Sequence, residues 1–373
     1  MSHPFKPLGV SPDLLEGIAE LGIHQPTPIQ KEAIPYLINK GHDMIGQAQT
    51  GTGKTAAFGL PLLTRINPKA EGIQGLIITP TRELAKQVGK DLFKYTKYAK
   101  SKTFIEVCCG GDKIQVQAAR LKRPTQIVVG TPGRLIELIQ KGALFIHSVQ
   151  YLILDEADEM LSMGFKEQLR DLIRLCNQRR ATWLFSATFP DSVEELIRGA
   201  MSPDPKVIKV SAKNVVNRDI THQFHLCEKD EKDDFIYQFL RNQGDNRGLI
   251  FCRTKAGATM LAKKLGSRNF AVDVITGDLT QLERDKIMRA FKKERSQFLI
   301  ATDVVARGID IDGLNFVLHH QLPDQSEYYT HRAGRTGRAG KKGLSLLLVE
   351  GRERKRLQRL EKELKVNFSP YNF

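Results

Sequence analysis

The sequence predicts an α/β protein built from two tandem parallel sheets. Three observations carry that prediction. At 373 residues the chain suits two domains better than one. Short runs rich in Ile, Leu and Val alternate with helical patterns, the order that lays helices over a parallel sheet. The alternation stops at a polar stretch, 211–219, and then restarts.

Taken in chain order, the first half predicts strands at 43–46, 75–79, 103–108, 126–129, 151–154 and 182–185. Several are nearly continuous apolar runs, as expected of strands buried on both faces. Helical patterns lie between them, as at 82–97 and 166–175. The second half predicts strands at 248–252, 271–276, 298–302, 316–319 and 344–349, with helices at 256–265 and 281–293. The organisation expected is an N-terminal segment 1–31, a domain 32–210, a short linker 211–219 and a second domain 220–373. The pattern at 352–365 carries seven basic residues against three acidic ones and reads as a solvated terminal helix, with any nucleic-acid contact there secondary.

Composition narrows the function classes. The chain is 41% hydrophobic and 27% charged, ordinary values for a globular protein. No apolar run approaches the roughly 18 residues of a membrane span. The first seven residues have no apolar core, so no secretory signal is expected. The five cysteines, Cys108, Cys109, Cys176, Cys227 and Cys252, are odd in number and lack Cys-x-x-Cys spacing, which disfavours structural zinc and a disulfide framework and fits a reducing compartment. The formal net charge of +15 attracts polyanions, with nucleic acid first and a membrane surface, an acidic protein or a merely basic surface as the alternatives.

Three runs carry chemistry. Ala48-Gln49-Thr50-Gly51-Thr52-Gly53-Lys54-Thr55 follows a predicted strand and opens a helix, the context a phosphate loop needs. Its glycines let backbone N–H groups approach phosphate oxygens. Lys54 would neutralise the β- and γ-phosphates and Thr55 would ligate Mg²⁺. Ala48 stands at the position where the usual loop begins with Gly. In Tyr151-Leu152-Ile153-Leu154-Asp155-Glu156-Ala157-Asp158 a strand ends in two carboxylates. Alone they could be an acidic strand–loop junction. Beside Lys54 they read as a Mg²⁺ ligand, Asp155, and a base for water, Glu156. The third run, His331-Arg332-Ala333-Gly334-Arg335-Thr336-Gly337-Arg338, could by itself be a basic surface loop. The second half has no phosphate loop of its own, and arginines there could reach the nucleotide as fingers.

With these runs in place the chain resembles a DEAD-box RNA helicase of superfamily 2, a minimal two-domain core, over essentially its whole length. Gly22-Ile23-His24-Gln25-Pro26-Thr27-Pro28-Ile29-Gln30 resembles the family's Q motif, which makes 1–31 the Q-motif region. The resemblance implies two RecA-like domains with ATP and Mg²⁺ as cofactors. It implies that Gln30 reads the adenine edge with Gln25 nearby, that Phe5 stacks on the base, and that Asp310 lies near the ribose. Arg335 and Arg338 become arginine fingers. Ser186-Ala187-Thr188 resembles the motif that couples hydrolysis to domain movement, with its hydroxyls on Asp158. Asp303 is implied to link the domains, and His331 to belong to the coupling network.

The implied RNA contacts are Thr81, Arg82, Gly111, Thr131 and Arg134 in the first domain. In the second they are Arg253, Gln281, Thr302, Arg307 and Gly308. Hydroxyls, glycine N–H groups and guanidiniums suit sugar and phosphate, so binding without sequence preference is expected. Ile23, Thr276 and Gln321 depart from the family pattern without removing a group from the hydrolysis chemistry.

The function implied is RNA-stimulated ATP hydrolysis coupled to domain closure, local duplex unwinding and ribonucleoprotein remodelling. The partners implied are single-stranded and short duplex RNA, and ribonucleoprotein or RNA-decay components. A monomeric, cytoplasmic enzyme with no membrane partner is expected. A DNA translocase is the competing enzyme reading, and the Q motif and Asp-Glu-Ala-Asp argue against it. An ATP-dependent RNA clamp would be a use of the same intact site.

Overall fold

A computed structural model describes residues 3–48, 51–210, 219–303, 314–337 and 342–372. The chain divides into two compact units, Met1–Val210 and Ser211–Phe373.

In the first unit the described strands are β1 (Met44–Gln47), β2 (Gly75–Ile78), β3 (Ile105–Cys108), β4 (Ile127–Gly130), β5 (Tyr151–Asp155), β6 (Ala181–Ser186) and β7 (Lys206–Lys209). They form one all-parallel sheet in the order β3-β4-β2-β5-β6-β1-β7. Successive side chains of a strand point to opposite faces, and here both faces are buried. Ile77, Val129, Ile153 and Trp183 pack into one core layer, while Leu76, Val128, Leu152 and Leu184 pack into the other. The continuous apolar runs in the sequence reflect this double burial.

The second unit repeats the plan with β8 (Ile220–Leu226), β9 (Gly248–Cys252), β10 (Val272–Ile275), β11 (Phe298–Thr302), β12 (Phe316–His319), β13 (Gly343–Val349) and β14 (Ser369–Pro370). Their order is β10-β11-β9-β12-β13-β8-β14, again all parallel. Cys252 is a small buried core residue, as expected.

Three strands escape sequence reading. The edge strand β7 buries only Ile208, between the exposed Val207 and Lys209, and β14 is two residues long with a proline. In β8, Ile-Thr-His-Gln-Phe-His-Leu is polar and half-buried, so no apolar run marks it. The terminal helix, Arg354–Leu364, corrects an expectation. It is not simply solvated: Leu357, Leu360 and Leu364 are buried in a cluster with Tyr329, Leu347 and Val349. Leucines spaced three and four apart form one apolar stripe, which the surrounding charges mask in the composition.

No described helix is long and apolar enough to cross a membrane. All five cysteines are free and buried.

Candidate functional site

In a parallel sheet the strand ends that share a direction also share an edge, and ligands of such folds sit outside the carboxyl ends of the strands. Every described residue singled out in the first unit, apart from those in the segment 3–30, follows the carboxyl end of a strand. Gly111 follows β3, Thr131 and Arg134 follow β4, and Thr81 and Arg82 follow β2. Asp155 closes β5, Ser186 closes β6, and the loop to Lys54 follows β1. One edge thus divides into two neighbourhoods, with the basic and hydroxyl residues on β3-β4-β2 and the nucleotide kit on β5-β6-β1.

Two strand spacings, about 10 Å, separate β5 from β1. Gly51 and Gly53 take left-handed conformations, φ 81° and 84°, and Gly53 caps the helix Lys54–Arg65. A Cβ on Gly53 would lie 2.3 Å from the Gln30 amide nitrogen, so only glycine fits there. Gln30 is itself buried, donating from Nε2 to the Gly53 carbonyl at 2.9 Å and accepting from the Thr27 N–H at 2.9 Å. This joins the Q-motif segment to the phosphate loop and leaves the amide one N–H and one lone pair. Gln25 is exposed. Phe5 has no exposed surface and is a core residue here, so its ring offers no open face for a base. Ala48 is buried, and its N–H donates to the Ser186 carbonyl at 3.1 Å. Thr52 and Thr55 are half-buried, and Gln49 and Thr50 lie outside the described residues.

Lys54 and Asp155 are both buried ionisable groups in this neighbourhood. Lys54 is 6% exposed and Asp155 2%. Neither Lys54 Nζ nor Asp155 Oδ1 has a hydrogen-bond partner among the described residues. Burial pushes the Asp155 carboxyl above the usual carboxylate range, the Lys54 charge pulls it back, and the Glu156 charge adds to the rise. Buried polar atoms without partners cost free energy, so two such atoms on interacting residues mark a candidate place for a ligand. Glu156 carries a left-handed backbone, φ 55°, at the turn into the helix Ala157–Ser162. For a non-glycine residue that costs about 1–3 kcal/mol.

Among the described residues no group of three or more His, Cys, Asp or Glu could hold a metal. A Mg²⁺ shared with a nucleotide needs fewer, because phosphates and waters complete its shell. The orphaned Asp155 oxygen fits that role, with the Thr55 hydroxyl one residue beyond Lys54.

Asp158 is read out by the segment after β6. Thr188 donates to its Oδ2 from both the N–H, at 2.9 Å, and the hydroxyl, at 2.8 Å. The Ser186 hydroxyl also bonds Asp158, but through the backbone. It accepts from the Asp158 backbone N–H at 3.2 Å and donates to the Thr188 carbonyl at 2.8 Å, with no bond to the carboxylate. A sequence cannot separate these cases, since a serine hydroxyl serves backbone and side chain equally.

On the other neighbourhood Thr81 caps the helix Arg82–Tyr95 and Thr131 precedes the helix Pro132–Gln140. Two helix N-termini thus follow the neighbouring strands β2 and β4 at one edge, and a helix N-terminus favours an anion. Arg82 lies against Gly110, where a Cβ would sit 3.0 Å from its guanidinium. Gly111 is left-handed, φ 92°. Arg134 is anchored by Glu137 at 3.0 Å, the Asp112 carbonyl at 3.0 Å and Gln117 at 2.8 Å.

In the second unit Thr302 ends β11, Arg253 follows β9 and pairs with Asp324, and Gln281 opens the helix Gln281–Lys292. His331 lies in the helix Ser326–Ala333 and Arg335 just beyond it, 6% exposed. Asp303 accepts two hydrogen bonds from Arg332, a residue to which sequence reading gave no role. The only sequence signal was that Arg332 lies inside the arginine run. Arg307, Gly308, Asp310 and Arg338 lie outside the described residues, as does the stretch 211–218.

Two family models match the chain, DEAD/DEAH box helicase over residues 27–196 and helicase conserved C-terminal domain over residues 231–340. The chain is similar to the DEAD-box ATP-dependent RNA helicase CshA of Bacillus cereus, 43% identical over 362 residues that make up 97% of this chain and 68% of the relative. Among solved structures it is similar to S. cerevisiae Dbp5 bound to RNA and ADP BeF3, 32% identical with a TM-score of 0.89, over 99% of this chain and 96% of the other. It is also similar to a DEAD box protein from the hyperthermophile Methanococcus jannaschii, 38% identical with a TM-score of 0.57, over 99% of each chain.

Proposed function

The chain belongs to the DEAD-box family of ATP-dependent RNA helicases, and on that footing we propose that its two RecA-like units close on ATP and RNA to separate short duplexes and remodel ribonucleoprotein. The observation that carries the nucleotide half is the pair of buried, unpartnered atoms, Lys54 Nζ and Asp155 Oδ1, set about the loop that Gly51 and Gly53 shape.

Each residue then has a task. Lys54 and the loop N–H groups bind the phosphates of ATP. Gln30 turns its remaining donor and acceptor toward the adenine edge, a pattern suited to N6 and N7. Asp155 and Thr55 would hold Mg²⁺, which when bound neutralises charge on the β- and γ-phosphates. Glu156 orients the attacking water and takes its proton on a carboxylate oxygen. Asp158, held by Thr188, passes the state of this site to the segment after β6.

RNA lies along Thr81, Arg82, Gly111, Thr131 and Arg134, held by sugar and phosphate rather than by base edges. Arg253, Gln281, Thr302, Arg307 and Gly308 grip it from the second unit. Closure lets Arg335 and Arg338 act as fingers on the phosphoryl group in transfer, worth on the order of 10³–10⁵ in rate. Each ligand favours the closed state by binding it better, so each promotes the other. Buried free cysteines suit a reducing, cytoplasmic setting.

Turnover of ATP with and without RNA tests this. RNA, but not DNA of equal length, is expected to stimulate hydrolysis, and equal stimulation would favour a DNA translocase. Lys54→Ala is expected to lower turnover about a hundredfold or more. Wild-type turnover in that variant would remove the site assignment.

A further inference from the structure

A chain of polar side chains crosses the core of the second unit, and the roles above leave it unused. Arg332 grips Asp303 with Nε on Oδ1 at 2.5 Å and Nη2 on Oδ2 at 2.6 Å. Its Nη1 reaches the Gln321 carbonyl at 3.3 Å and His319 Nδ1 at 3.4 Å. Behind it, His319 Nε2 lies 3.0 Å from Ser345 Oγ, and the Tyr329 hydroxyl donates to that same oxygen at 2.9 Å. His222 Nδ1 bonds the Tyr329 hydroxyl in turn. Rings reinforce the chain. Arg332 lies over Phe251 at 5.1 Å, Phe251 stacks on His319 at 6.0 Å, and His319 stacks on Tyr329 at 5.1 Å. His319, Ser345 and Tyr329 have no exposed surface.

The protons on this chain are largely determined. A guanidinium can only donate, so His319 Nδ1 must accept. A neutral ring then carries its proton on Nε2 and donates to Ser345. Charging the ring would set two cations against each other in a buried site. Burial first, then Arg332 and His222, hold the His319 pKa well below its ordinary range. Each side chain in this buried network has a partner, and such a network is rigid and favours one arrangement. What it steadies is Arg332, three residues before Arg335, and through it Asp303, the residue after Thr302.

We infer that His319 is a positioning residue that holds the Arg332 guanidinium on Asp303, so that the RNA-facing end of β11 and the helix leading to Arg335 move as one piece. The inference rests on the proposed roles of Thr302 and Arg335. It makes Asp303 in the first place a partner of its own unit, a contact the sequence did not suggest.

The test uses the full chain. His319→Leu removes both ring contacts, while His319→Asn keeps an acceptor where Nδ1 stands. His319→Leu is expected to lower the RNA-stimulated kcat about tenfold with KM for ATP within about twofold, the signature of lost transition-state positioning. His319→Asn is expected to recover most of that loss. An unchanged kcat in the Leu variant, or an Asn variant no better than Leu, would overturn the inference. Nitrogen-15 NMR of histidine-labelled wild-type protein gives a second reading that needs no variant to fold. It is expected to show His319 neutral with its proton on Nε2 at neutral pH, and a charged ring or an Nδ1 proton would also overturn it. Failure of the underlying function looks different, because wild-type protein would then show no RNA-stimulated turnover at all.

Discussion

Glu156 and Asp155 are adjacent carboxylates with opposite needs. Glu156 must accept a proton, and Glu156→Gln is expected to slow hydrolysis about 10²- to 10⁴-fold while leaving ATP binding intact. Single-turnover hydrolysis beside nucleotide binding checks this, and fast hydrolysis would move the base elsewhere. Asp155 is held above the usual carboxylate range by burial. A carboxyl whose pKa is higher folded than unfolded binds its proton more tightly in the fold, so it withdraws stability as the pH rises through that interval. Asp155→Asn is therefore expected to raise the melting temperature of the nucleotide-free protein, by more at about pH 8 than at about pH 5, while abolishing turnover. A melting-temperature difference that does not grow with pH would refute the assignment. Both carboxylates were legible in the sequence as letters at a strand end. That one of them is buried with its Oδ1 unpartnered was not, because burial depends on what the neighbouring strands β2 and β6 place around it.

The elements divide by how much of their surface is apolar. Strands with both faces in the core, such as β5 and β11, are continuous apolar runs and could be read with almost no error in their ends. Half-buried β8 and edge strand β7 could not, since their neighbours rather than their own residues make them strands. The terminal helix belongs with these. Its leucine stripe packs on the cluster that also holds Tyr329 and Ala333 of the helix Ser326–Ala333. Leu360, 5% exposed, should cost about 2–5 kcal/mol when cut to Ala. Chemical denaturation followed in the second unit checks this, and a loss under about 0.5 kcal/mol would mean the helix is loosely docked. Because that cluster also contains Tyr329, the same variant is expected to weaken RNA-stimulated turnover more than basal turnover.

Over the whole molecule, a net charge of +15 suits a polyanionic partner. About five phosphate contacts would make RNA affinity fall roughly a hundredfold between 50 and 200 mM salt. A titration series against salt reads the slope, and a flat response would mean that charge is not the grip. The sequence by itself determined the two-fold α/β alternation, the phosphate loop, the acidic pair and the arginine run. Each depends on residue type and local spacing, which a chain carries whether or not it is folded. Tertiary structure alone decided that Gln30 braces Gly53, that Ser186 serves the Asp158 backbone, and that Arg332 holds Asp303 with His319 behind it. Those contacts join residues 23, 28, 29 and 13 positions apart. Strand order brings them together, and strand order follows from how two apolar faces are covered rather than from any motif.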